Sequence, residues 1–190
     1  MHLWHDIPLG SGAPRNVNAI VEIPRGGRVK YELDHELGIL RATRILYGAV
    51  HYPANYGFIP QTLAEDSDAL DILVLGQEQL APGTLVTARV IGVMPMVDTG
   101  EPDDKVIAVQ QGDPGFDTIR SLGDLPPFRM NEIMRFFGDY KALEGKEVKV
   151  AAPLGATDAF AVVDRCAAAW RASDDGQARA KQSGGVSSAP

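Results

Sequence analysis

Short β-prone, mostly apolar runs separated by Gly- and Pro-bearing turns fill the first two thirds of the chain, which is the signature of β-strands. Residues 17–23 and 29–33 read as two strands joined by the turn Pro24-Arg25-Gly26-Gly27, with residues 39–45 a third strand after a turn near Gly38. A Gly- and Pro-bearing loop over residues 10–16 leads into the first of them. Residues 52–62 mix Pro53, Gly57 and Pro60 with aromatics, so an irregular packed segment is expected there. Residues 72–75, 85–97 and 106–109 are β-prone, the second long enough to bend at Gly92 or Pro95.

The period then changes. Met130, Ile133, Met134, Phe137 and Tyr140 recur at helical spacing, after Pro126-Pro127 and before Gly145. A strand over residues 147–151 follows, then a second helix over 157–172 with Thr157 in the capping position. Many strands followed by two helices predict an α+β, mainly β fold: a closed antiparallel β-barrel with two peripheral α-helices. Residues 1–172 form one domain on this reading. Residues 173–190 are Ser, Gly, Ala, Gln and charged residues, and their composition predicts a disordered C-terminal tail.

Charge changes the picture more than composition does. The 190 residues hold 25 Asp and Glu against 18 Lys and Arg, a net charge of −7, which argues against a nucleic-acid surface. An acidic protein can still bind an anion when its acids hold metal ions and its bases are gathered nearby. One cysteine, Cys166, allows no disulfide within the chain and suits a reducing compartment. Residues 1–9 lack the basic and apolar regions of a signal peptide, and no run approaches the roughly 18 apolar residues that cross a bilayer. A cytoplasmic protein with no membrane partner is expected.

Four groups of residues offer chemistry. Asp66-Ser67-Asp68-Ala69-Leu70-Asp71 stands just before the strand at 72–75. It is not an EF-hand loop, because Leu70, Asp71 and Gln77 fall where an oxygen ligand, Gly and Glu are needed. Alone it reads equally well as a solvated acidic turn. Asp98, Asp103 and Lys105 flank a Gly-containing turn; strand alternation puts Asp103 and Lys105 on one face and Asp104 on the other. Glu22 sits among Ile20, Val21 and Ile23, an expensive place for a carboxylate without a partner. Lys30 and Glu32 share a strand face. Tyr140-Lys141 closes the first helix, where a cation suits the helix dipole with or without a function. Arg44 and Tyr56 could present a guanidinium fork and a phenol to an anion. Gly145-Lys146 lacks the preceding glycine of a phosphate-binding loop, and the four histidines show no zinc spacing beyond a weak His2-x-x-His5.

Taken together, these groups resemble the family I soluble inorganic pyrophosphatases of compact prokaryotic type, over residues 20–150. The matching elements are Val21-Glu22-Ile23-Pro24, Lys30-Tyr31-Glu32, Arg44, Tyr52-Pro53-Ala54-Asn55-Tyr56-Gly57, the Asp66-to-Asp71 signature, Asp98 with Asp103 and Lys105, and Phe136-Phe137 leading to Tyr140-Lys141. The resemblance implies an OB-like barrel and Mg²⁺-dependent hydrolysis of pyrophosphate to two phosphates, with Mn²⁺ or Zn²⁺ as substitutes. It implies that Asp66, Asp71 and Asp103 bind one Mg²⁺, with Asp71 shared with a second. Asp98 and Asp103 would bind an ion arriving with substrate, and Glu22 would act on another through water. Asp68 resembles the general base, with Tyr56 close to the nucleophile. Lys30, Arg44, Lys105, Tyr140 and Lys141 resemble the phosphate clamp, and Glu32 a residue that orients them. A homohexamer is implied in the same way.

Ala69, Thr43, Thr99 and Ala151-Ala152-Pro153 depart from the family pattern. Two rivals stand at this stage: a non-catalytic or weakly active metal- or phosphate-binding barrel, in which Ala69 and Thr99 would mark lost activity, and an Mg²⁺-dependent hydrolase of another phosphoanhydride, disfavoured because no base-stacking domain accompanies the site.

Overall fold

A computed structural model describes residues 1–184. Eleven strands follow in order: Asn16–Ile23 (β1), Val29–Asp34 (β2), Ile39–Ile45 (β3), Asn55–Phe58 (β4), Asp71–Leu75 (β5), Leu85–Met94 (β6), Met96–Asp98 (β7), Glu101–Pro102 (β8), Lys105–Gln110 (β9), Val148–Val150 (β10) and Leu154–Gly155 (β11). The helices are Pro127–Asp139 (α1), Ala156–Ala172 (α2) and Asp174–Gly184 (α3).

Strands β1, β4, β5, β9 and β6 pair in that order, and β6 pairs back onto β1, so the sheet closes on itself. This is the expected barrel with one correction. β5 and β9 run parallel, with Asp71 beside Lys105, so the barrel is mixed and not wholly antiparallel. Hydrophobic alternation is blind to strand direction, which the long excursion through β6 to β8 decides here.

The barrel strands are apolar in near-continuous runs because both of their faces are covered. On one face Val17, Ala19, Ile72, Val74, Ala88 and Ala108 pack with Ala159, Val163 and Cys166 of α2. On the other, Leu73, Leu75, Ile107 and Val109 pack with Ile133, Phe136 and Phe137 of α1. The segment read as irregular contains β4, a barrel strand. Gly57 is what admits it: a Cβ there would lie 1.8 Å from the Ile20 carbonyl oxygen of β1. The long β-prone run divides at Pro95 into β6 and β7, with a bulge between Val90 and Gly92. A hairpin, β2–β3, stands as its own two-stranded sheet, and β7, β8 and β10 form a third.

Two helix ends differ from expectation. The cap of α2 is Gly155, and Thr157 lies inside the first turn. Residues 174–184, expected to be disordered, form α3; the rest of the expected tail, 185–190, lies outside the described residues. The Ser173 carbonyl accepts from the Gln177 amide at 3.0 Å and its hydroxyl from the Gly176 amide at 3.3 Å, capping a turn that begins with Asp174 and Asp175. Among the described residues no helix is long and apolar enough to cross a membrane.

Candidate active site

A cavity of about 600 Å³ opens between the β2–β3 hairpin, the loop before β5 and the ends of β7, β9 and α1. It gathers Glu22, Lys30, Glu32, Tyr56, Asp66, Asp68, Asp71, Asp98, Asp103, Lys105 and Tyr140 from positions up to 118 residues apart in sequence. Two expected members, Arg44 and Lys141, do not line it. Glu144 holds Arg44 in a salt bridge, and Asp98 holds Lys141 just behind the wall.

Parallel pairing explains the centre of the site. β5 and β9 start at the same end of the barrel, so their first residues, Asp71 and Lys105, are neighbours. Asp103 lies two residues earlier on the face of Lys105, and the buried ammonium donates to both carboxylates. Asp104 faces the other way, 3.6 Å from Arg165. Tyr56, on β4, donates its hydroxyl to Asp71.

Two carboxylates therefore share one lysine, and burial acts on Asp103 and on the lysine. It pushes the Asp103 carboxyl up to about 6 in spite of the pull of Lys105, and Asp71 adds to the rise. Burial pulls the Lys105 ammonium down, but Asp71 and Asp103 outweigh it and raise its pKa. The Tyr56 phenol is driven well above its usual value by burial and by Asp71.

Asp98 terminates β7, where Tyr140 and Thr99 donate to it at 2.9 Å and Lys141 reaches it as well. Burial raises the Asp98 carboxyl, but these bonds prevail and lower it. Thr99, a departure from the family pattern, thus helps hold a site carboxylate. Burial lifts the Tyr140 phenol and lowers the Lys141 ammonium. Glu22 is buried and accepts from the Leu33 amide at 3.1 Å; burial first and Asp71 second raise its carboxyl well above the usual range. Lys30 donates to Glu32 at 2.5 Å. Asp68 is raised by burial, against a partial opposing pull from His35, whose Nε2 lies 2.8 Å away.

His35, Arg41 and Trp4 also line the cavity, and none was expected as a site residue. His35 sits in an ordinary-looking Asp-His-Glu-Leu-Gly turn, and only folding brings that turn to Asp68. Among the described residues no three His, Cys, Asp or Glu side chains converge closely enough to form a metal site; Lys105 bridges Asp71 and Asp103, and Lys141 pairs with Asp98. The donor set nonetheless suits a hard divalent ion: nine carboxylates line the cavity against Lys30, Arg41 and Lys105.

A closed five-stranded barrel with an acid-lined mouth and buried lysines is suited to taking up divalent cations together with a polyanion. The inorganic pyrophosphatase family model matches residues 19–171, and the chain belongs to that family. It is 55% identical over 159 residues to a soluble inorganic pyrophosphatase of Oryza sativa subsp. indica, covering 84% of this chain and 74% of the relative. The crystal structure of inorganic pyrophosphatase from Thermus thermophilus superposes with a TM-score of 0.86 at 43% identity, covering 89% of this chain and 99% of that one. An inorganic pyrophosphatase from Helicobacter pylori superposes with a TM-score of 0.83 at 37% identity, covering 87% and 99%.

Proposed function

We infer that this chain carries out its family's reaction, hydrolysis of inorganic pyrophosphate to two phosphates, in the acid-and-lysine cavity, and that the metal it uses is Mg²⁺. The observation behind this is the charge of the cavity. Nine carboxylates and three cationic side chains repel a polyanion unless divalent cations enter with it. Asp66, Asp71, Asp98 and Asp103 are the residues to hold those cations, with Glu22 acting through water. Mg²⁺ matches their hard oxygen donors, and Mn²⁺ or Zn²⁺ would be substitutes. When bound, the ions supply charge neutralisation and a lowered pKa for the attacking water.

The protein's own part is positioning and proton transfer. Lys30, Lys105 and Tyr140 meet the phosphate oxygens from the cavity wall. Arg44 and Lys141 join them by exchanging Glu144 and Asp98 for phosphate. Asp68, raised by burial, accepts the proton of the attacking water, and Tyr56 orients that water through its hydroxyl. Glu32 keeps Lys30 aimed into the cavity at 2.5 Å. We place the enzyme in the cytoplasm and expect a homohexamer, both on the family likeness alone; sedimentation of the purified chain tests the second.

The decisive experiment is phosphate release with Mg²⁺ from pyrophosphate, run beside a nucleotide and a polyphosphate. Release from pyrophosphate is expected to dominate. Asp68→Asn should then lower turnover by roughly 10²–10⁴ while Mg²⁺ binding persists, the range for loss of a general base. Equal release from all three substrates would favour a broader phosphoanhydride hydrolase, and no release a binding protein.

A further inference from the structure

The proposed base has a partner that the reaction scheme leaves unused. Asp68 Oδ1 lies 2.8 Å from Nε2 of His35, at the tip of the β2–β3 hairpin. Both groups are half-exposed, and an exposed pair of long side chains would be worth little. These are short side chains on fixed backbone, which changes the entropy of the contact.

The hairpin tip is held at several points. Asp34 Oδ1 accepts from the Glu36 and Leu37 amides at 3.1 and 2.9 Å, and its carbonyl accepts from Gly38 at 2.7 Å. Gly38 closes the turn at φ +69°, and the His2 ring packs where a Cβ would stand. His2 Nε2 lies 3.0 Å from the His35 carbonyl oxygen.

Trp4 then ties this tip to the acidic loop. Its buried ring lies 5.0 Å from the His35 ring, and its indole N–H donates to the Thr62 carbonyl at 2.8 Å. The Thr62 hydroxyl in turn accepts from the Leu70 amide at 2.9 Å, next to Asp71. The loop end near Asp68 is fixed too, since its carbonyl accepts from the Ala64 amide at 2.8 Å. Hairpin and loop are thus braced against the same tryptophan. Trp4 and His2 lie before residue 19, where the family match begins.

We propose that His35 is a positioning residue for Asp68: its Nε2–H, set by the hairpin turn and by Trp4, holds the carboxylate with one oxygen aimed into the cavity to receive the water's proton. The inference rests on the reading of Asp68 as the base. A hydrogen bond to the ionised carboxylate also removes the rotamers in which Asp68 would turn to solvent.

The test is steady-state kinetics with Mg²⁺ and pyrophosphate on the full chain. His35→Leu should lower kcat roughly tenfold with KM unchanged, the scale on which partners that orient a catalytic group act. His35→Gln, whose amide can still donate, should recover most of that loss. In an Asp68→Asn background, His35→Leu should cost nothing further, because the group it orients is gone. Trp4→Leu should lower kcat in the wild type but not beside His35→Leu. Wild-type kcat in His35→Leu overturns the proposal, and so does an equal loss with and without Asp68. Should His35→Leu fail to fold, the contrast between His35→Gln and His35→Ala decides in the same way. Full turnover in Asp68→Asn marks the different failure, that of the base assignment itself.

Discussion

The apolar face beneath α2 and the charge cluster at the cavity are two buried regions of one barrel wall, held in opposite ways. Beneath α2, Val17, Ala19, Val74, Ala108, Val163 and Cys166 satisfy one another by contact alone. At the cavity, Lys105 is just as buried, at 1% exposure, yet depends on Asp71 and Asp103 for its counter-charge. Burial of the first kind contributes stability roughly in proportion to area. Burial of the second kind is costly unless every charge keeps its partner. The molecule therefore divides its labour: the α2 face holds by apolar contact throughout, while the face packed by α1 also carries, at its cavity end, charge in readiness for ions and substrate.

The strongest way to break this contrast is Lys105→Met. Removing the lysine leaves Asp71 and Asp103 facing each other without a cation, and losing one partner of a buried pair costs about 3–5 kcal/mol. Without metal the variant should melt well below wild type, and millimolar Mg²⁺ should restore much of the difference without restoring turnover. Equal melting temperatures in chelator would mean that the lysine is not a structural counter-charge. Ile59→Ala probes the opposite face. Ile59 is fully buried there, and truncation should cost about 2–5 kcal/mol in urea melts, with kcat unchanged once the folded fraction is counted.

A smaller effect comes from the ions. A ligand present at about 100 times its Kd stabilises the folded state by about 2.7 kcal/mol, so Mg²⁺ should raise the wild-type melting temperature. Asp71→Ala should lose most of that rise, whereas Ile59→Ala should keep it. A wild-type melt indifferent to Mg²⁺ would reduce the acids to a solvated surface. The smallest effect is a reactivity, not a stability. Burial pushes the Cys166 thiol up to about 11, so at pH 8 the nucleophilic thiolate is scarce. Alkylation should follow unfolding and not precede it; prompt labelling of the native protein would show that the α2 face is open.

Much of the site was legible because its chemistry is written in local spacing. Asp66, Asp68 and Asp71 lie within six residues, and Asp98, Asp103 and Lys105 around one turn. Glu22 stood out as a carboxylate in an apolar strand, and its burial matches that reading. His35 and Arg41 were missed because a histidine in a turn and an arginine on an exposed strand have no local mark of function. The strand β4 was missed because Pro53 and Gly57 look like breakers, while Gly57 in fact allows two backbones to touch. α3 was read as disordered because its composition is polar; the cap at Ser173 lies outside what composition measures.

Sequence alone determined which residues bear charge, which alternate toward a core, and how Asp103 and Lys105 come to share a face. Those follow from the fixed periods of strand and helix, which each segment carries within itself. What tertiary structure decided is adjacency. Whether β5 and β9 run together or opposed is not encoded in either strand's pattern, yet the parallel choice alone sets the start of one beside the start of the other. It thereby places Asp71 against Lys105. The same holds for Arg44, drawn to Glu144 across 100 residues of chain, and for the hairpin that brings His35 to Asp68. Such pairings are settled by how the closed sheet and its helices fill space, because only the folded chain brings distant charges within reach of one another.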